Sequence, residues 1–138
     1  MSFGGAFYAI TDSQLKRILD RSLDGEAFIK GRTAEAPMER FSGGEAVWYE
    51  LTKLLGPEDG CGATGTEVIP EGGAYSYANE VARISDQLTM LNKRELQRRY
   101  AELETTFRFE EVYAAIVGLL SFYRRSSKAG LAILFNIG

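Results

Sequence analysis

The sequence predicts a single compact α+β domain, mostly helical, with a strand at each end paired in a small sheet and one long helix near the C-terminus as its centre. Three observations lead there. The stretch Phe109–Lys128 carries Val112, Tyr113, Ile116, Val117, Leu119, Leu120 and Tyr123, which cover much more of a helix than a narrow stripe and so require neighbours on several sides. After Gly130, suited to the left-handed position that ends a helix, LAILFNI runs as an unbroken apolar segment of strand length. At the other end GGAFYAI alternates Ala6, Tyr8 and Ile10 against Phe7 and Ala9. Terminal strands separated by helices favour α+β over alternating βαβ units, and residues 1–138 fit one domain.

In chain order, Thr11 and Gln14 form a capping-box pattern that opens a helix to about Leu23, with Leu15, Ile18, Leu19 and Leu23 on its apolar side. Residues 24–40 show no sustained period and read mostly as loop, pinned to the core by Phe28, Ile29, Met38 and Phe41. Ser42 with Glu45 repeats the capping-box pattern ahead of Val47, Trp48, Leu51, Leu54 and Leu55, and Gly56-Pro57 ends that helix. Trp48 reads as a core anchor. The glycine-rich residues 56–75 read as a long connection with one short strand at Thr66–Ile69. Ser76 is placed to cap a third helix with Val81, Ile84, Leu88 and Leu91 inward. Asn92 then caps a shorter one, with Leu96, Tyr100 and Leu103 inward and Lys93, Arg94, Arg98 and Arg99 outward. Glu110 and Glu111 in the first turn of the long helix, and Arg124, Arg125 and Lys128 near its last, complement the helix dipole.

Composition narrows the function. There is no histidine in the chain, which removes the usual general base near neutral pH and the commonest metal ligand. One cysteine, Cys61, allows no intramolecular disulfide and no zinc site of the cysteine and histidine type. A reducing cytoplasm is the expected compartment, since no basic-then-apolar leader opens the chain. The net charge of −3 disfavours nucleic acid as partner, and no apolar run reaches membrane-spanning length.

Three segments together resemble the YfbM-like family of small bacterial proteins, classed as a domain of unknown function: GAFYAIT leading into TDSQLKRIL; GGEAVWYELTKLLG; and YSYANEVARISDQLTMLNKRELQRRY followed by EEVYAAIVGLLSFYRRSSKAGLAILFNIG. Their order covers most of the chain. The resemblance implies a compact α+β domain. Two features of the family are missing: a histidine at the position of Thr52, and a proline-containing insertion before the last helix.

Several stretches invite sharper chemistry. GPEDGCGATG is glycine-rich, yet it lacks the phosphate-loop pattern and carries Glu58 and Asp59, which repel phosphate. Cys61 has no histidine to activate it and reads as a bystander thiol. The carboxylates Glu45, Glu50, Glu58, Asp59, Glu67, Glu71, Glu80 and Asp86 have no diagnostic spacing; Glu45 has a capping explanation, and Glu80 and Asp86 fall on a solvent face. KRELQRR with Arg124, Arg125 and Lys128 reads as solubilising charge ahead of a nucleic-acid face, a reading that would use Arg98, Arg99, Arg124 and Arg125. The acidic loop flanked by tyrosines is the preferred interaction surface, with Glu58, Asp59, Glu67, Glu71, Tyr75 and Tyr77 as partner-binding residues. The expected function is therefore a non-enzymatic protein-binding domain with no cofactor, no metal and no catalytic residue. Its more specific form is an immunity protein that occludes a bacterial toxin. The alternative is a small-ligand-binding protein or enzyme using carboxylates and tyrosines in a pocket.

Overall fold

The computed structural model describes residues 4–138. Its centre is one antiparallel sheet of five strands, flanked by helices on both faces. Strand β1 (Gly5–Ile10) pairs with β5 (Ala132–Ile137) in the register Phe7↔Phe135 and Tyr8↔Leu134, so the two ends of the chain form the middle of the sheet. Strand β2 (Glu39–Phe41) adds outside β1, while β4 (Gly73–Ser76) and then β3 (Thr64–Thr66) add outside β5.

Opposed residues in an antiparallel ladder share a face, and alternation sends successive side chains to opposite sides. On one side Phe7, Ala9, Ile133 and Phe135 pack under α3 (Trp48–Leu54), α4 (Ala78–Met90), α5 (Lys93–Tyr100) and α6 (Phe109–Lys128). On the other, Ala6, Tyr8, Ile10, Ala132 and Leu134 meet α1 (Asp12–Leu19), α2 (Gly25–Ile29) and the buried Ile69. The continuous apolar runs of both terminal strands follow from this double cover. The long helix α6 packs chiefly against α4, which itself lies on the sheet, and its Val112, Leu119, Phe122 and Tyr123 are fully buried. Its cover is incomplete, since Val117 is half exposed. Gly130 ends it at φ +67°.

Several local expectations change. Thr11 and Gln14 do form the capping box, but α1 stops at Leu19 because Arg21 turns the chain at φ +67°. Leu23 is buried all the same. Residues 24–40 contain α2, begun by the Asp24 carboxylate accepting from Ala27 N, and the start of β2. Met38 points away from the core at 68% exposure. Ser42 and Glu45 make no capping box: a 3-10 turn, Glu45–Val47, precedes α3, and the Glu45 carboxylate goes to Arg40 instead. Trp48 is partly buried against the larger core.

The segment 56–75 departs most. It supplies two strands, and the short strand lies at Thr64–Thr66, not Thr66–Ile69. Its glycines permit close approach: a Cβ on Gly73 would lie 2.3 Å from the carbonyl oxygen of Phe135 on β5. Ser76 belongs to β4, fully buried, and its hydroxyl accepts from Ala63 N at 3.0 Å. The cap of α4 comes from elsewhere. Asp12 Oδ1 accepts from Ala78 N, and Glu80 Oε1 accepts from Tyr77 N, each at 2.9 Å, so Glu80 is a capping residue and not free solvated charge.

A candidate binding cleft beside α2

On the α1/α2 side the helices do not cover the whole sheet, and a cleft of about 500 Å³ remains. Ala6 and Tyr8 of β1 and Asn136 of β5 line its sheet side, with α2 and the Ile69–Glu71 turn flanking it. Asn136 Nδ2 donates to Pro70 O at 3.2 Å and to Gly72 O at 3.0 Å, which anchors that turn to the sheet. Arg40 closes one end. Its Nε donates to the Tyr8 hydroxyl at 3.3 Å and its Nη2 to Glu45 Oε1 at 2.6 Å, while the guanidinium stands 5.8 Å from the Tyr8 ring centre. The Tyr8 hydrogen bond, more than Glu45, raises the Arg40 pKa. Lys30 is likewise paired, with Glu26 at 2.6 Å. Among the described residues Glu71, exposed and held at φ +68°, has no ion pair, so it is the uncompensated charge of the cleft.

The sheet divides the six residues that the sequence puts on one interaction surface. Glu71, Tyr75 and Tyr77 lie with the α1/α2 layer, where the two tyrosine rings meet edge to face at 5.7 Å and both pack against the smaller core, and Glu67 is exposed next in sequence to Val68, which packs there too. Burial raises the Tyr77 pKa. Glu58 and Asp59 lie on the opposite side and are engaged internally. Arg99 Nη1 and Nη2 reach the two Glu58 oxygens at 2.7 and 2.9 Å, and Nη1 also donates to Leu54 O at 2.7 Å. Arg83 reaches Asp59 at 3.0 Å. Arg99 is therefore folded in at 17% side-chain exposure, not directed outward. Arg98 pairs with Glu95 and Arg125 with Glu39, so of the four arginines in the nucleic-acid reading only Arg124 makes no ion pair among the described residues.

Cys61 is buried beside Tyr123, and desolvation pushes its thiol up to about 12. Such a thiol carries almost no thiolate at neutral pH. Sequence reasoning missed Tyr8, Arg40 and Asn136. A tyrosine and an asparagine, the polar side chains in otherwise apolar terminal strands, were the available signal. No group of three or more carboxylate or cysteine side chains is arranged to hold a metal ion among the described residues, and no helix there is long and apolar enough to cross a membrane.

A five-stranded antiparallel sheet with its terminal strands in the middle, a long C-terminal helix on one face and short helices on the other define a one-sheet α+β domain. The crystal structure of YfbM from Escherichia coli, a protein of unknown function, has a similar fold, with a TM-score of 0.54 at 17% identity over 96% of this chain and 98% of that one. At that identity the likeness establishes the fold alone. No family model and no curated protein sequence matches the chain.

Proposed function

We propose that this is a non-enzymatic protein-binding domain whose contact surface is the Glu67–Tyr77 side of the α1/α2 layer. The observation that carries this reading is the Tyr75–Tyr77 pair, anchored by the smaller core and accompanied by the exposed Glu67 and Glu71, neither of which is tied to an internal cation. Anchored aromatic rings lose little entropy on binding, and uncompensated carboxylates favour a basic partner and faster encounter. The specific form proposed is an immunity role, in which the domain occludes the active site of a bacterial toxin in a reducing cytoplasm. Occlusion requires no chemistry from the inhibitor. Retention of candidate toxins on the immobilised protein tests this. Binding that weakens when Glu67 and Glu71 become Lys supports the reading; no retained protein, together with no sensitivity to a neighbouring effector on deletion, ends it.

A second reading rests on the cleft itself. Its Tyr8 hydroxyl, Arg40 guanidinium and Glu71 carboxylate suit a small polar ligand, as pockets of this size commonly do. Ligand screening by thermal shift, repeated on Tyr8→Phe, separates it from the first: a stabilising ligand lost in the variant favours the cleft.

A further inference from the structure

The outward face of α6 departs from the pattern usual for a surface helix. Glu110, Ala114, Val117, Ser121 and Arg124 follow one another at steps of four and three residues and are all exposed, so they form one stripe along the helix. Such a stripe ordinarily carries charge along its length. Here residues 112–123 contain no charged side chain, and the charges stand only at the two ends. Val117 occupies the middle, half exposed, and edges a small recess of about 50 Å³ with Leu91, Tyr113 and Leu120. Glu110 and Arg124 lie seven residues to either side of it, about 10 Å along the axis in each direction. Neither makes a hydrogen bond or an ion pair among the described residues, whereas their neighbours are committed, Glu111 to Arg108 and Arg125 to Glu39.

We propose that this stripe is the interface through which a second copy of the chain pairs with the first, α6 against α6, antiparallel about a two-fold axis at Val117. The charge arrangement selects both the occupant and the direction. Glu110 and Arg124 are equidistant from Val117 and opposite in sign, so the stripe is complementary to itself when turned end for end. Glu110 of one copy then faces Arg124 of the other, and the same contact recurs on the far side of the axis. A parallel arrangement sets Glu110 against Glu110 and Arg124 against Arg124, which like-charge repulsion opposes. Between the charged ends the two Val117 side chains meet and are withdrawn from water together. Since α6 lies on the side of the sheet opposite Tyr75 and Tyr77, pairing there leaves the tyrosine pair uncovered and does not depend on the reading given to it.

Sedimentation equilibrium of the whole chain tests the pairing. The parent is expected to pass from monomer to dimer as concentration rises, while Val117→Asp stays monomeric. Glu110→Arg and Arg124→Glu should each weaken the dimer about tenfold or more, since each puts two like-charge contacts across the axis in place of two attractive ones. Mixed together, these two variants should pair with each other about as tightly as the parent does with itself, because every contact across the axis is again between opposite charges. A variant that merely folds badly would not regain pairing on mixing. A parent that stays monomeric up to about 1 mM, a Val117→Asp variant that still dimerises, or charge variants that fail to pair when mixed would each overturn the assignment. The first of these would leave the stripe to another protein, and the second would move the self-contact to another surface. No foreign partner enters the experiment, so its failure is distinct from failure of the Glu67–Tyr77 surface.

Discussion

The Tyr123 hydroxyl donates to the carbonyl oxygen of Gly60 at 2.8 Å inside the core, tying the long helix α6 to the turn that precedes Cys61. Tyr123 is fully buried, and desolvation raises its pKa well above the ordinary tyrosine value. Replacing it with Phe leaves the Gly60 carbonyl without that donor. Tyr123→Phe should lose about 1–3 kcal/mol of stability in urea denaturation, the penalty for an unsatisfied buried polar group. An unchanged midpoint would mean that water replaces the hydroxyl.

Arg99 joins three elements at once, through Glu58, Leu54 O and Glu95. Arg99→Lys keeps the charge but loses the forked geometry, so it should recover only part of the stability that Arg99→Ala removes. The Arg99→Ala loss is expected at about 1.5–3 kcal/mol, the range for hydrogen bonds to charged groups. Full rescue by Lys would show that charge alone matters there.

Glu95 has the clearest pH signature. Hydrogen bonding from Arg98, then from Arg99, lowers its pKa from the ordinary 4.5 to about 2. A carboxylate with a depressed folded pKa contributes stability that is fully present above its unfolded value and is lost as pH falls toward the folded one. The stability difference between the parent and Glu95→Gln should therefore be constant above about pH 5 and shrink between pH 4.5 and 2. A pH-independent difference across that window would remove Glu95 from the titration.

Gly73→Ala places a methyl group against Phe135 O, at a separation of 2.3 Å before any relaxation. Strands β4 and β5 must then move apart, taking β3 with them. Hydrogen exchange at Tyr75 and Leu134 should accelerate in the variant, whereas Gly56→Ala, with nothing within 4 Å of the added atom, should leave it unchanged. Equal protection at both sites in Gly73→Ala would argue against this contact.

The parts of the fold legible in the sequence were those governed by local signals. The Thr11–Gln14 box, the Asn92 cap and Gly130 each act within a few residues, and the apolar runs of β1 and β5 report their own burial. What stayed hidden depends on distant pairing. Gly73 reads as a loop residue until Phe135 is beside it, and the cap that Asp12 gives Ala78 joins positions 66 residues apart. The candidate surface was half legible for the same reason. Glu58, Asp59, Glu67 and Glu71 look alike in a glycine-rich stretch, and only the packing of α4 and α5 against the turn at residues 56–59 shows that arginines claim the first two.

The pairing of β1 with β5 also constrains how the protein is made. Residues 5–10 are synthesised well before their central partner at 132–137, with more than 120 residues between the two strands. At typical elongation rates that interval is roughly 6–25 s. Throughout it the strand GAFYAI has neither its main ladder nor the α6 layer to cover it. The nascent protein thus presents an unpaired apolar strand for longer than most small domains take to fold.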